Sequence, residues 1–295
     1  MPLDESSFPP CPNCRVKGKV ILEIEAEFSL YFCRNCHNGF TFPVPEEMGE
    51  FYPKYYWSSS NTLGVIKDAI FSLFQRRRIA WLTTTVPKGV ILDVGSGEGT
   101  FAAKLPDRYQ AVSLEPPGSS INNPMVIKEN FLKWKTGRKF DAICFWESLE
   151  HTGHPQKYLG QAFRLLNNHG HIFIEFPRYR CYESRLFGKH WFHLDTPRHL
   201  SHLTDEGVRI LLKRSGFGKI RVKSIMSFEY APWGFIASLS KTINPKTALT
   251  DNLKGSGKAV SPFLLAPFFL VACFIEILFL FLGESPIVLA TAEKR

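Results

Sequence analysis

The chain has 295 residues, and 44% of them are hydrophobic and gathered in short runs, which excludes a chain without a packed core and predicts one large domain plus a small appendage. Seven cysteines, four of them in closely spaced pairs, favour a metal site in a reducing compartment over a disulfide framework. The net charge of +9 suits a nucleic acid, an anionic membrane surface or a phosphorylated substrate, and composition alone does not choose among them.

Two cysteine pairs near the start of the chain are separated by 18 residues. Their spacing matches a zinc template of two C-x2-C pairs, and four thiolates close a tetrahedral structural site. Strands are expected over Lys19–Glu27 and around Tyr31 and Phe32, so residues 1–45 are predicted to form a zinc ribbon. The acidic residues in the middle of the ribbon favour a role in stabilising the fold or in controlling substrate access over a role in binding nucleic acid. The expected zinc ligands are Cys11, Cys14, Cys33 and Cys36.

Residues 46–88 are predicted to be a linker followed by an amphipathic helix over residues 62–82. An aromatic run from Phe51 to Trp57 either stacks on a sugar or another ring, or covers the open face of the domain. The helix carries Arg76, Arg77 and Arg78, a basic run expected on a solvated face or against lipid headgroups.

A glycine-rich turn is the most informative stretch of the chain. The apolar run Ile91–Val94 predicts a buried strand, glycines then alternate up to Gly99, and a helix is expected to follow. Such a unit holds a nucleotide-like ligand at the carboxyl edge of a parallel sheet. Thr100 stands where a dinucleotide-binding turn needs its third glycine, which argues against that ligand class. The next strand, Ala111–Leu114, ends at Glu115, an acid placed to accept hydrogen bonds from two ribose hydroxyls.

The later segments alternate between strands and helices, so residues 89–225 are predicted to be an α/β core, a doubly wound, Rossmann-like sheet. The connection between the second and third strands is too short to contain more than a very short helix. Thr204 is expected to cap the last helix, Gly216 to stop it, and residues 167–170 to cap the helix before it. The further predicted strands are Met125–Lys128, Phe140–Trp146, His171–Phe176, Phe217–Ile225 and Pro286–Ala292, and the predicted helices are Gln156–Leu166 and Thr204–Ser215.

Residues 226–284 form an apolar insertion before the last strand, residues 285–295. Within it, Pro262–Leu282 carries one charge, Glu276, and is long enough to span a bilayer as a helix. If both ends of the insertion join one sheet, we favour a helical hairpin, with Phe235–Leu239 as the partner segment, or a helix in the plane of the membrane. These arrangements are preferred to a true membrane span and to a buried core helix. We expect a cytoplasmic protein at the inner face of the cell membrane, since its positive charge suits anionic lipids and no secretory signal is visible.

The pattern Asp-x-Gly-x-Gly-x-Gly from Asp93 to Gly99 resembles motif I of the class I S-adenosylmethionine-dependent methyltransferases. The resemblance implies S-adenosylmethionine as the cofactor and a seven-stranded, mostly parallel sheet whose last two strands form an antiparallel hairpin. The expected cofactor-binding residues are Asp93, Gly95, Ser96, Gly97, Gly99, Glu115, Glu129, Asn130 and Trp146.

The segment from Glu147 to His151 follows the fourth strand and borders the cofactor. A hydroxyl acceptor must lose its proton near the moment of methyl transfer, so His151 is expected to be the base or, alternatively, a positioning residue. Glu147, Glu150 and His151 also resemble the E-x2-E-H signature of the ubiquinone-biosynthesis O-methyltransferases. That resemblance implies a divalent cation at the active site as an open alternative.

The segment from His190 to His202 follows the fifth strand at the same edge of the sheet. We expect it to form a lid over the acceptor, in which Arg198 holds a carboxylate or a phosphate. The predicted substrate contacts are His193, Asp195, Arg198 and His199.

Taken together, the ribbon, the aromatic run, motif I, the Glu-His pair and the lid motif resemble the methyltransferase-23 group of bacterial class I enzymes, which are often associated with cell-surface polysaccharides. The resemblance implies O-methylation of a glycan or lipid-linked intermediate. An isoprenoid-quinone O-methyltransferase is one alternative. A zinc-ribbon nucleic-acid-binding protein with a methyltransferase-like scaffold is an alternative of another class. The zinc-containing sugar C-methyltransferases share the ribbon, but their Glu-His-Tyr signature is not evident, which favours oxygen over carbon.

Overall fold

A computed structural model describes residues 8–17, 19–25, 27–51, 75–228, 230–243 and 262–295. Most of the aromatic run and the first part of the predicted helix over residues 62–82 lie outside the described residues. The strands are β1 (Lys19–Glu25), β2 (Phe28–Cys33), β3 (Asn38–Phe42), β4 (Gly89–Val94), β5 (Tyr109–Glu115), β6 (Val126–Lys128), β7 (Phe140–Trp146), β8 (Leu166–Pro177), β9 (Ser201–His202), β10 (Phe217–Ser224) and β11 (Ile287–Lys294).

Seven of these strands form the main sheet, in the order β10-β11-β8-β7-β4-β5-β6. Strands β4 to β8 run parallel to one another, whereas β11 pairs antiparallel with both β10 and β8. The predicted doubly wound, mostly parallel sheet with a terminal hairpin is therefore confirmed. The carboxyl ends of β4, β5, β7 and β8 share one edge, which places the site there.

The helices are α1 (75–85), α2 (Pro155–Leu165), α3 (Tyr182–Phe187), α4 (Asp205–Arg214), α5 (Ala231–Ile243) and α6 (Pro262–Phe281). Buried side chains of α2 and α4, such as Leu159 and Leu211, pack against one face of the sheet. Leu82 of α1 packs against the opposite face with Ile91 and Phe173. The sheet is thus covered on both faces, as a parallel sheet requires.

Two local expectations were wrong. The glycine turn is followed only by a short 3₁₀ turn, Ala102–Lys104, rather than by an α-helix, because the glycine turn and Pro106 leave too few residues for one before β5. Residues 167–170 do not cap α2 but belong to β8, since Leu166 already pairs with Phe140 of β7. The predicted lack of a full helix between β5 and β6 is confirmed over residues 116–125.

Strands β1 to β3 form the ribbon, and their antiparallel sheet gains β9 from the main domain as its fourth strand. The side chain of Thr204 accepts a hydrogen bond from the Gly207 N–H, as expected of the N-cap of α4. The Thr204 hydroxyl also donates to the carbonyl of His37 in the ribbon at 2.6 Å. The Asn38 side chain accepts from the Thr204 N–H at 3.1 Å. The ribbon is therefore fixed to the main domain by directional bonds.

The apolar insertion leaves β10 and returns to β11, which is its antiparallel neighbour, so both of its ends lie at one edge of the sheet. Helices α5 and α6 pack together as the expected partners, with the rings of Trp233 and Phe269 centred 4.6 Å apart. No helix in the described part of the chain combines the length and the apolar character that crossing a membrane requires.

Candidate active site

The glycine turn lies between the ends of β4 and β5. Gly95, Gly97 and Gly99 all have positive φ angles, from 56° to 74°, which side chains rarely adopt. The backbone N–H groups of Gly95 and Ser96 donate to the carbonyl of Leu114. These bonds hold the turn against β5.

Two acids flank this turn from neighbouring strands. Asp93 at the end of β4 is 2% exposed, and its Oδ1 has no hydrogen-bond partner. Burial raises the pKa of Asp93 to about 7. Glu115 at the end of β5 accepts a hydrogen bond from the Gly97 N–H, and burial raises its pKa as well. An orphaned carboxylate oxygen beside a second acid suits a cationic ligand rich in hydroxyl and amine donors.

Beneath these acids lies an ion-pair network that sequence reasoning missed. Arg77 and Arg78 of α1 both bind the fully buried carboxylate of Glu175 on β8, at N–O distances of 2.7 and 3.0 Å. Arg78 also lies 5.4 Å from the ring centre of Trp146 and offsets part of the pKa rise of Asp93. The expectation of a wholly solvated or lipid-facing basic run is therefore wrong, because only Arg76 points outward.

The expected base lies beyond the end of β7. The His151 Nδ1 lies 3.1 Å from the backbone carbonyl of Arg198. A carbonyl can only accept, so Nδ1 carries the proton of the neutral ring and Nε2 carries the lone pair. Burial lowers the pKa of His151 below 6.5. The neutral, proton-accepting form therefore prevails at neutral pH.

The lid packs a second imidazole against the first. The His199 Nδ1 lies 2.8 Å from the carbonyl of His193, and the His199 ring is centred 4.6 Å from that of His151. Burial holds the pKa of His199 well below its usual range. Asp195 forms an ion pair with Arg198 at 2.6 Å. The Arg198 guanidinium, expected to bind substrate, is thus engaged within the lid.

The two predicted acids of this segment, Glu147 and Glu150, are hydrogen-bonded to each other through their side chains. Glu150 is 1% exposed, and burial raises its pKa to about 8. Donor atoms of Glu150, His151 and His199 lie within 4.8 Å of one another. Glu147 is not part of this group, and its backbone N–H bonds to the carbonyl of Glu175. The structure therefore changes the expected cation ligand set, replacing Glu147 with His199.

The other predicted cofactor contacts have different surroundings. Glu129 is exposed at the end of β6. The Asn130 side chain accepts a hydrogen bond from the Leu132 N–H. Trp146 is packed against Phe101 and is 5% exposed. The cofactor roles of Glu129, Asn130, Trp146 and Ser96 stay predictions.

The four ribbon cysteines are brought together as predicted. Their sulfur atoms all lie within 4.8 Å of one another, with the Cys11–Cys36 pair at 3.5 Å and the Cys14–Cys33 pair at 3.4 Å. A tetrahedral zinc with Zn–S bonds of about 2.3 Å places sulfurs roughly 3.8 Å apart. The hydrogen bond from Cys11 lowers the pKa of Cys36. The donor set and its spacing therefore fit one zinc ion.

Thr41 bonds the ribbon to the lid beside the pairing of β3 with β9. The Thr41 hydroxyl of β3 donates to the carbonyl of His199 at 2.8 Å and lies 2.9 Å from the His202 Nε2. The Thr41 N–H donates to the Leu200 carbonyl. The sequence motif of the lid gave no signal for this contact, because Thr41 lies 158 residues before His199.

Comparisons with known proteins identify the family of the chain and structures of similar fold. A family model described as a methyltransferase domain matches residues 67–222, just over half of the chain. The structure of a Haemonchus contortus phosphoethanolamine N-methyltransferase 2 in complex with S-adenosyl-L-methionine is 14% identical, with a TM-score of 0.50 over 92% of this chain and 70% of that chain. A SAM-dependent methyltransferase from Archaeoglobus fulgidus is 16% identical, with a TM-score of 0.49 over 79% of this chain and 100% of that chain. No curated protein matches the chain in sequence.

Proposed function

Because the chain belongs to this methyltransferase family and is an enzyme that uses S-adenosylmethionine, we propose that it methylates a hydroxyl oxygen of a glycan or lipid-linked intermediate. The observation that carries the choice of oxygen is the state of His151. A neutral imidazole whose Nδ1 proton is held by a carbonyl offers its Nε2 to a hydroxyl proton. The family match favours an enzyme over the alternative of a nucleic-acid-binding scaffold.

The residues around the glycine turn suit S-adenosylmethionine in charge and hydrogen-bonding capacity. When bound, S-adenosylmethionine supplies an electrophilic methyl group on a sulfonium. Glu115 and Asp93 would accept hydrogen bonds from its hydroxyl and amine groups, and the glycine turn would bring the backbone close. The acids would also balance the positive charge of the ligand, which lowers the cost of burying them.

The protein's own part in the transfer is to position the acceptor and take up its proton. His151 would accept the hydroxyl proton on Nε2, and the carbonyl of Arg198 would stabilise the resulting imidazolium through Nδ1–H. The lid histidines and the Asp195–Arg198 ion pair would keep water from the acceptor.

We assign zinc to the four ribbon cysteines. A closed tetrahedral set leaves no position for water or substrate, so the metal would act in folding rather than in methyl transfer.

A His151→Asn variant tests the proposed base. Its amide can still donate to the Arg198 carbonyl but cannot take up a proton. We expect methyl incorporation from labelled S-adenosylmethionine into bacterial lipid and glycan extracts to fall roughly 10²–10⁴-fold, with cofactor affinity unchanged in calorimetry. The rise of wild-type activity with pH should be centred below 6.5, and the variant should lose it. His190→Asn is the matched control, and mass spectrometry that located the methyl group on carbon or nitrogen would refute the proposal.

A second candidate acceptor is an isoprenoid quinone, favoured by the group of Glu150, His151 and His199. In this alternative the three side chains would bind a divalent cation that acidifies the hydroxyl, and His151 would not be the base. Stimulation of methyl transfer by added Mn²⁺ that disappears in Glu150→Gln would support it. Activity unaffected by divalent cations, with the four-cysteine site loaded, would exclude it.

A further inference from the structure

Helix α6 is apolar around its circumference, and from Pro267 onward it exposes much of that apolar surface. The ring of Phe269 is centred 4.6 Å from that of Trp233 on α5, the ring of Phe279 is centred 5.9 Å from that of Tyr182 on α3, and Glu276 is fully buried. Six large apolar side chains of the helix and its end are exposed to 59–84%. These residues are Phe268, Leu270, Val271, Phe274, Phe281 and Leu282.

Neighbouring helices extend this apolar surface. Tyr182 is 42% exposed on α3, and Leu186, one turn further along, is 66% exposed. On α5, Leu239 and Ile243 are also one turn apart and are 41% and 78% exposed. A continuous apolar surface of this kind is uncommon on a soluble monomer and marks a contact with a partner or a membrane.

Cationic side chains lie beside the apolar surface. The guanidinium of Arg185 lies 5.6 Å from the ring centre of Tyr182. Burial lowers the pKa of His190, and the charges of the nearby Lys189 and Lys241 lower it further. This distribution of charge complements anionic lipid headgroups.

We propose that the exposed side chains of α3, α5 and α6, together called the docking face, bind the surface of a bilayer that contains anionic lipids. The helices would lie in the plane of the interface, with their apolar side chains among the acyl chains and the lysines and arginine at the headgroups. The six side chains named on α6 contain no hydrogen-bond donor or acceptor. They suit a fluid apolar medium better than a protein partner, whose interface would also offer polar contacts.

The docking face is joined to the lid by two buried contacts. Glu183 of α3 faces Glu276 of α6 and accepts a hydrogen bond from Trp191 Nε1 at 3.0 Å. The Phe192 N–H donates to Ser238 Oγ of α5 at 2.8 Å. Docking would therefore place the lid at the membrane interface, where an acceptor with a lipid tail presents its polar head. The docking proposal itself does not depend on which acceptor is methylated.

Vesicle flotation with the full chain tests the proposal. Wild-type protein should float with vesicles of phosphatidylcholine and phosphatidylglycerol, and less with phosphatidylcholine alone. The double variant Leu270→Asp and Phe274→Asp should bind these vesicles at least about tenfold more weakly. The control, Val16→Asp and Val44→Asp, changes two half-exposed valines of the ribbon and should bind as wild type does. Lys189→Glu with Lys241→Glu should weaken binding to the anionic vesicles by roughly fivefold per lysine.

Calorimetric titration with S-adenosylmethionine in the absence of vesicles serves as the test of folding for each variant and separates this proposal from the proposed reaction. Retained cofactor affinity together with lost flotation supports the docking face. Equal flotation of the Leu270 and Phe274 double variant and wild type overturns the proposal. The proposal is also overturned if wild type does not float but forms a concentration-dependent dimer that the same double variant abolishes. The docking face would then bind a second copy of the chain.

Discussion

The lid is held from two sides by contacts of different physical character. On one side, β9 pairs with β3 of the ribbon, and Thr41 bonds to the lid through its backbone and its hydroxyl. On the other side, α5 packs on the lid mainly through apolar side chains such as Phe235, and Ser238 and the Glu183–Glu276 pair add polar contacts. Directional hydrogen bonds fix a register, whereas apolar packing tolerates sliding. The ribbon side is thus suited to hold the lid in place, and the helical side to let it respond to its surroundings.

Among the substitutions that disturb the contacts of the lid, loss of the metal from the ribbon should lower methyl transfer the most. Cys36→Ser removes the thiol with the lowered pKa and should abolish zinc binding, measured as metal content. A unit as small as the ribbon depends on its metal site for stability. We therefore expect the ribbon to unfold and the lid to lose its contacts with the ribbon. Methyl transfer should fall by roughly 100-fold or more because positioning is lost.

The matched control is Cys273→Ser, which changes a partly exposed thiol of α6. It should retain both zinc and activity. Full methyl transfer by a metal-free Cys36→Ser protein would show that the ribbon does not hold the lid in its active position.

The two sides also differ in how far the sequence predicts them. The cysteine pairs, the glycine turn and Glu115 were predictable because each depends on residues close together in the chain. The pairing of β9 with β3 and the binding of Arg78 to Glu175 were not. Their partners lie about 100 or more residues apart, and burial of the arginine is decided by the whole sheet.

The helical side shows a second limit of sequence reasoning. The apolar run of α6 was predicted as a helix, and its partner α5 was located nearly correctly. Glu276 appeared as a single charge in an apolar run. Its role became visible only with Glu183, which lies on α3, another element of the fold. A charge in an apolar helix indicates that a partner exists but does not identify it.

A matched pair of glycine substitutions compares the two sides directly. A Cβ at Gly207 would lie 2.0 Å from Asn38 Oδ1 on the ribbon side, and one at Gly234 would lie 2.4 Å from His193 Nε2 on the helical side. Both alanine variants should lose about 1–3 kcal/mol of stability through overpacking. Gly207→Ala should also release zinc to a chelator faster, since it displaces an Asn38 that bonds to the carbonyl of Cys36.

Gly234→Ala should lower turnover and leave the rate of zinc release unchanged. The measurements are chemical unfolding, chelator kinetics and methyl transfer. Faster zinc release in both variants would mean that strain passes through the lid from one side to the other, and the two contacts would then act as one unit.

The smallest effect is expected from the carboxyl pair, and it depends on pH. Burial and the facing carboxyl raise the pKa of Glu183, and burial raises that of Glu276 above 4.5. A carboxyl with a raised pKa in the folded state stabilises the fold while protonated, and this contribution is lost as the pH rises through the raised value. Glu276→Gln keeps the shape and cannot ionise. It should therefore equal wild type near pH 4.5 and exceed it at pH 8 by about 1 kcal/mol.

Urea unfolding at both pH values, with Glu284→Gln as a control for loss of one negative charge near the end of the same helix, measures this difference. A Glu276→Gln protein that is less stable than wild type at pH 8 would mean that the ionised carboxylate is held by a cation, which would contradict the raised pKa of Glu276. Higher stability of Glu276→Gln at pH 8 would show that a buried carboxylate destabilises the helical side of the lid. The ribbon side contacts the lid through neutral hydrogen bonds and has no such penalty.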